Sequence, residues 1–412
     1  VSGNSIIAVT DRVTMQVGGF TLTSFSDVTI ERDLQQIAGR FTLKCLDQAR
    51  LAAALQAYIG QTPDVPPLKA GDPCTIALDG DPVLIGYIDK PHFHWTSTQI
   101  DAEFTGRDRT GDLVDCAALP DGPTEFRNAG LLAVANTVCA PSGIPVRTDV
   151  DLGAPFTCLA LHPHQTGMEF LESASRQRSA LLTSDGVGGL LLTQGGKTRG
   201  PAPLRMGENI QEGEAEFDWE HRFSDYYVRG QTTKNRTGVA APLTDAVTPL
   251  SSAPAPPSTP GTNSAAEAAA IVMTGHVTDP EVTRWRPTVR MTRSQSGMST
   301  AQEQAEWMLR VARGQSESLH YKVLDWRAGP ANALWLPNQV VAVYDPYAGI
   351  DKDMLIAGCE YHFGAEGLFT MLRLVGVTAY DRIDEADRRK SKAPASAKNS
   401  PLTSAPTPLS AS

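Results

Sequence analysis

Leu84-Ile85-Gly86-Tyr87-Ile88 is an apolar run with a glycine inside it, and a similar run returns at Leu355-Ile356-Ala357-Gly358. Their surroundings are also alike. Before the first stand Pro67-Leu68, a strand-like stretch from Cys74 to Leu78 and the turn Asp79-Gly80-Asp81. Before the second stand Leu336-Pro337, the stretch from Val340 to Tyr344 and Asp345-Pro346. After them come Phe104-Thr105-Gly106 and Leu374-Val375-Gly376, so Gly86 to Gly106 spans 20 residues and Gly358 to Gly376 spans 18. A strand, a loop, an apolar strand with an inner glycine and a hairpin return suit a small barrel, where glycine relieves crowding at a bend. The chain therefore reads as a duplicated β unit.

Outward from the echo, residues 5–106 read as strands, with Ile100, Ala102 and Phe104 at period two. Helices are scarce. One is predicted over 127–140, with Leu131, Leu132, Ala135, Val138 and Cys139 on one face and Pro141 and Gly143 closing it. A second opens with the capping-box pattern Thr166-x-x-Glu169 and carries Phe170, Leu171, Ala174 and Leu181. Ser184-Asp185-Gly186 then reads as a turn and Leu190-Leu191-Leu192 as a strand. A third helix opens at Ser299-x-x-Gln302 and sets Ala301, Ala305, Met308, Leu309 and Ala312 on one stripe before Gly314. Strands return from Leu319 to Tyr380.

The 412 residues are enough for two to four domains, and at 41% hydrophobic and 7% aromatic they can fill real cores. A net charge of −10 argues against a dedicated nucleic-acid binder, which needs a concentrated basic surface. No apolar stretch is long enough for a membrane helix, and Val1 to Asp11 lack the charge and apolar pattern of a secretory signal. Cys45, Cys74, Cys116, Cys139, Cys158 and Cys359 lie far apart with no C-x-x-C pair, so they read as reduced and mostly buried thiols of a chain made in a reducing cytoplasm. From Gly238 to about Ala270 the chain is rich in Pro, Ala, Ser and Thr, and from Ala386 to Ser412 it ends in Pro, Ser, Ala and Lys. Both segments lack the apolar content of a core.

Candidate chemistry is thin. Gly196-Lys197-Thr198 has the ending of a phosphate-binding loop, but the glycine required five residues earlier is Leu191, and Pro201 and Pro203 stand where the helix should begin; a hairpin turn is expected. His92-x-His94 and His162-x-His164 each put two imidazoles on one side of an extended segment, but no third or fourth ligand accompanies them, so surface or structural roles and no metal are expected. There is no H-E-x-x-H and no G-x-S-x-G. Glu212, Glu214, Glu216 and Asp218 alternate with Ala215, Phe217 and Trp219, which in a strand gives one solvated acidic face and one apolar face rather than a catalytic pair. If that strand lined a channel, the row would repel DNA and let it slide. Phe104-Thr105-Gly106-Arg107-Asp108-Arg109-Thr110-Gly111-Asp112-Leu113-Val114-Asp115-Cys116 is the most distinctive run. Arg107, Asp108, Arg109 and Asp112 could pair with one another to fix a turn, or the run could be a binding loop; the residues alone leave both open.

That run, together with Asp225-Tyr226-Tyr227-Val228-Arg229-Gly230-Gln231, resembles the baseplate hub (tail protein) of Mu-like contractile-tailed phages, over residues 5–380. Hubs of that family are related to other phage hubs and to the base of type VI secretion spikes. The resemblance implies a mainly β fold with α+β insertions: two tail-tube-like β-barrel domains plus smaller α/β domains, assembled as a ring-shaped homotrimer. The expected division is 1–106 for the first barrel, 107–205 for an intervening α/β region, and 206–237 with 271–380 for the second barrel. The helix at 299–313 should pack outside that second barrel. Residues 238–270 are expected to be a loop and 381–412 a disordered tail; neither maps onto the family.

The implied function is structural. A trimer with two equivalent barrels per chain presents six barrels, so one ring can meet a hexameric tail tube on one face and a trimeric spike on the other. Expected partners are further copies of the chain, the tail tube protein, the central spike protein and other baseplate proteins. DNA or tape-measure protein would pass through the lumen without specific binding, past the acidic row of Glu212, Glu214, Glu216 and Asp218. No catalytic residue, cofactor, metal or membrane insertion is expected, and the place is the virion tail baseplate, assembled in the bacterial host cytoplasm. The rivals are a tail-associated peptidoglycan hydrolase using carboxylates such as Glu169 or Glu214, and a carbohydrate-binding tail-tip module.

Overall fold

The computed structural model describes residues 12–46, 68–96, 100–231, 272–291 and 301–381. The segment 238–270, the tail after Asp381, Ser299 and residues 5–11 lie outside the described residues. Strands β1 (Val13–Val17), β2 (Phe20–Leu22), β3 (Asp27–Asp33), β4 (Arg40–Leu46), β5 (Pro73–Leu78), β6 (Asp81–Trp95) and β7 (Ile100–Asp108) make the first unit. Alternation makes them half-buried strands. Val28 and Ile30 on β3, Phe41 and Leu43 on β4 and Cys74, Ile76 and Leu78 on β5 face the core, while the residues between them are more exposed.

Next come α1 (Gly111–Asp115), β8 (Glu125–Ala129), α2 (Leu131–Cys139), β9 (Val146–Thr148), β10 (Phe156–Ala160), α3 (Gly167–Arg176), β11 (Leu181–Ser184) and β12 (Leu190–Thr193). They enclose a core of their own that includes Val134, Val138, Phe170, Leu171, Leu190 and Leu192. The capping box is formed as predicted: the Thr166 hydroxyl accepts the Glu169 N–H and the Glu169 carboxylate accepts the Thr166 N–H. Two helix expectations need correction. The helix predicted over 127–140 starts only at Leu131, because Glu125–Ala129 is taken up in pairing with β10. Leu181 is not on α3 but on β11: the helix stops at Arg176 and Ser179 turns the chain with a φ of 55°.

The last part contains β13 (Thr198–Arg199), β14 (Leu204–Arg205), β15 (Ile210–Phe217), β16 (Asp225–Gln231), β17 (Val272–Thr278), β18 (Pro287–Met291), α4 (Ala301–Gln315), β19 (Glu317–Leu324), β20 (Arg327–Ala328), β21 (Ala333–Leu334), β22 (Gln339–Asp345), β23 (Ile350–Gly364) and β24 (Gly367–Gly376). Gly196 makes a turn at φ 70°, but the chain leaves it into β13, which pairs with β22 instead of returning on β12, so the expected hairpin is not formed. β16, β17 and β18 form a separate three-stranded sheet. Helix α4 lies on it with Ala301 and Ala305 buried; a side chain at Gly275 would strike the Ala301 carbonyl, which is how closely helix and strand approach.

The two β units share one sheet. Its strands run β15-β19-β24-β23-β3-β4-β7-β6-β5-β1-β2, with β22 on β23 and β13 and β14 on β22. Two separate barrels were expected, yet among the described residues no barrel closes. β3 cannot close the first unit because its free edge is taken by β23, which makes a seam from Gly358↔Asp33 to Phe363↔Val28. The core is correspondingly continuous, joining Ile30, Phe41 and Phe104 of the first unit to Trp326, Trp335 and Tyr361 of the second.

The duplication is real at the level of register. Strands β6 and β23 each have 15 residues. Ile88 faces Gly106 and Ile356 faces Leu374; Trp95 faces Ile100 and Phe363 faces Leu368. Adding 268 to the residue numbers of the first hairpin gives the second, and the register shift falls at the same place in both, between Ile88 and Lys90 and between Ile356 and Gly358. The glycines that first suggested the echo are out of this register: Gly86 corresponds to Met354 and Gly106 to Leu374. They serve different ends. A Cβ at Gly86 would strike the Arg107 carbonyl and one at Gly106 the Tyr87 carbonyl, whereas Gly376 makes room for Gly314 of α4.

Candidate functional site

Glu212, Glu214 and Glu216 of the acidic row lie on β15 and Asp218 follows its end; β15 is an edge strand whose one ladder partner among the described residues is β19. Glu212 faces Lys322, Glu214 faces His320 and Glu216 faces Ser318, and all four carboxylates of the row are exposed. The opposite side of β15 is not covered by the core as expected. Ala215 is exposed, and Phe217 and Trp219 remain 47% and 44% exposed. Gly213 leaves room for the Tyr321 ring, which reaches across to give its hydroxyl to Asp345 at 2.7 Å.

The seam between β3 and β23 shows what such an edge looks like when paired. Glu31 and Glu360 stand directly opposite each other. Burial, reinforced by Glu360, raises the Glu31 carboxyl, while the His362 hydrogen bond lowers Glu360. At the end of the seam the Arg373 guanidinium donates to Asp33, and Asp33 also accepts the Gln35 N–H at 2.6 Å.

In the Phe104–Cys116 run, Arg107, Asp108, Arg109 and Asp112 do not pair with one another; the one ion pair within the run is Arg107 with Asp115. Arg107 bonds Asp89 at 2.9 Å and Asp115 at 2.6 Å. Asp108 is buried and accepts Thr110 N–H, Thr110 hydroxyl and Ser184 hydroxyl, so β7 is tied to β11. Burial raises its carboxyl in spite of those bonds. The run is therefore a joint between the first unit and the α/β region. Asp225, in the second distinctive stretch, accepts from Ser224 and Thr278 and meets His276 at 2.9 Å, whose ring stacks on Tyr227 at 4.3 Å.

One buried cluster was missed from sequence. Asp279, fully buried, is held by Arg222 at 2.8 Å and Arg313 at 2.6 Å. Burial works to raise its carboxyl, but the two guanidiniums bring it down to about 2. These residues come from three distant stretches, and nothing local marks them.

The residues weighed for catalysis are not brought together. Glu169 serves the cap of α3, and Glu214 stands exposed on β15. His92 and His94 lie exposed on β6, while His162 and His164 stack on each other at 6.0 Å in a loop. Among the described residues no group of three or more His, Cys, Asp or Glu could hold a metal, and no helix is long and apolar enough to cross a membrane. Of the six cysteines Cys74, Cys139 and Cys359 are buried, Cys45 is half-buried, and Cys116 and Cys158 are exposed.

Comparison with known proteins follows the same architecture. Residues 12–108 match the family model described as Mu phage baseplate assembly protein GpP-like, N-terminal. Residues 110–194 match baseplate hub protein gp44-like, second domain, and 297–382 match Mu phage baseplate assembly protein GpP, fourth domain. The chain is 27% identical over 389 residues to the baseplate hub protein gp44 of Escherichia phage Mu, covering 93% of each. Among solved structures it is similar to the 43 kDa tail protein of prophage MuSo2 from Shewanella oneidensis, at 27% identity and a TM-score of 0.71, covering 90% of this chain and 99% of that one. A tail protein from Neisseria meningitidis MC58 shares the fold at 19% identity and a TM-score of 0.68, with the same coverage.

Proposed function

We infer that a chain resembling Mu-like baseplate hubs along nearly its whole length is itself a structural hub of a phage tail baseplate. The observation that carries the finer reading is the hairpin built twice in one register and joined side by side. Three copies of such a chain offer six equivalent units, so a homotrimeric ring meets the six-fold tail tube on one face and the three-fold spike on the other. The two units act as tube-like segments of that ring rather than as closed barrels within one chain. The acidic row of Glu212, Glu214, Glu216 and Asp218 faces the lumen, where like charge keeps passing DNA from adhering. Tail tube protein, central spike protein and other baseplate proteins are the partners, the virion tail is the location, and assembly takes place in the host cytoplasm. Function lies in surfaces and symmetry, with no catalytic step.

Light scattering on the purified full-length chain tests this. A species of three times the chain mass that survives dilution, and appears as a ring by electron microscopy, is the expected result. A monomer at micromolar concentration removes the symmetry basis for the ring.

A further inference from the structure

The seam inside one chain specifies a seam between chains. Ile30 of β3 faces Phe41, which faces Gly106; Ala215 of β15 faces Leu319, which faces Leu374. Gly106 and Leu374 are counterparts in the two hairpins, so β15 is to the second unit what β3 is to the first, with Ala215 in the place of Ile30. The correspondence extends to the strand end. Asp33 accepts the Gln35 N–H and Asp218, its counterpart, accepts the Glu220 N–H, each at 2.6 Å. In the same way β6 is the counterpart of β23. β3 has β23 against it, but among the described residues β15 has no strand on its outer edge, and β6 has none on its outer edge beyond Ile88.

We propose that β15 of one copy pairs antiparallel with the distal half of β6 of the next, in the register of the β3–β23 seam. This rests on the ring reading above and names its contact. Tyr361 faces Ile30 at the internal seam, so Phe93 faces Ala215 at the external one. On the other side of the ladder the register sets Lys90 against Asp218, His92 against Glu216 and His94 against Glu214. The acidic row thus meets a row of one lysine and two imidazoles, and opposite charges directly across a ladder favour this register over its neighbours. Within its own chain His92 faces Glu103, which lies 4.0 Å from Lys44, and His94 lies 3.8 Å from Asp101. Pro91 supplies no N–H, which removes at most one bond of the ladder. The apolar side of β15, left open at Phe217, is brought against the β6 hairpin. The contact joins two different surfaces, so it propagates head to tail and closes into a ring when the rotation allows.

A disulfide across the seam tests the register. In the full chain carrying Cys116→Ser and Cys158→Ser, the pair His92→Cys with Glu216→Cys places two thiols directly opposite, within bonding reach. Mild oxidation is expected to give covalent dimers and trimers, whereas His92→Cys with Glu212→Cys, four residues out of register, gives none. Asp218→Lys should raise the concentration at which the trimer half-dissociates by about tenfold, and adding Lys90→Asp should restore it. A trimer by light scattering without the cross-link overturns the seam and leaves the ring standing. A monomer without the cross-link overturns both. A loss in Asp218→Lys that the swap fails to recover counts against the charge facing.

Discussion

Asp108 accepts the Ser184 hydroxyl at 2.6 Å, and that single bond couples the end of β7 to β11. The carboxylate is buried, and burial raises its pKa above the ordinary value. A group whose folded pKa is raised contributes stability that is full below its unfolded pKa and is lost as pH rises through the folded one. Asp108→Asn should therefore flatten the decline of melting temperature between acid and neutral pH and cost little at neutrality. Asp108→Ala should cost about 2–3 kcal/mol in acid, because the Thr110 and Ser184 hydroxyls lose their acceptor, and less at neutral pH, where the wild-type carboxylate bears the cost of its burial. Thermal melts of the three proteins across pH check both statements.

Asp279 has the opposite sign. Burial opposes its charge, but Arg313 and Arg222 hold the carboxyl at about 2. A lowered folded pKa contributes stability above the unfolded value that is lost as pH falls through the folded one, so this contribution disappears between about pH 4 and 2. Asp279→Asn leaves two guanidiniums without their buried counter-charge, and a loss of about 3–5 kcal/mol is expected at neutral pH, measured by urea unfolding.

At the seam, Arg373 bonds Asp33, and two strand positions away on the same ladder Glu31, which also faces Arg40, stands opposite Glu360. Arg373→Ala should leave the half-buried Asp33 carboxylate without its partner and loosen the joint between the units by about 2–4 kcal/mol, whereas Thr29→Val, on the same strand, should cost less than about 1 kcal/mol. Hydrogen exchange at the β3 and β23 amides reads the difference, with faster exchange expected in the first variant alone.

Local features were legible in the sequence and distant ones were not. The capping box at Thr166 and Glu169 depends on four consecutive positions, and it formed as expected. The duplicated hairpin was visible because an alternating apolar strand, a turn and a return strand recur as a unit. Its glycines misled because they answer to different neighbours, Tyr87 and Arg107 in one copy, and Asp33 at Gly358 and α4 at Gly376 in the other. The seam left no sign, since Asp33 and Arg373 are 340 positions apart and neither has a distinctive surrounding pattern. The acidic row was legible as a row, but the exposure of Phe217 was not, because alternation predicts a covered face without saying which chain covers it.

Gly314 and Gly376 set how closely α4 can lie on β24. A Cβ at Gly376 would come within 2.7 Å of the Gly314 Cα, and one at Gly314 within 2.3 Å of the Ala379 backbone nitrogen. Both obstacles are backbone, so neither can swing aside as a side chain would. Either Gly→Ala substitution must move the helix away from the sheet, at a cost of about 1–3 kcal/mol for overpacking. Intrinsic propensity works the other way at Gly314, where alanine favours an isolated helix by about 1 kcal/mol. Packing should win, because α4 is held by its neighbours and not by propensity alone. A melting temperature lowered by Gly314→Ala, with the double variant less destabilised than the sum of the two singles, is the expected outcome; a stabilised Gly314→Ala would show that the helix has room to relax.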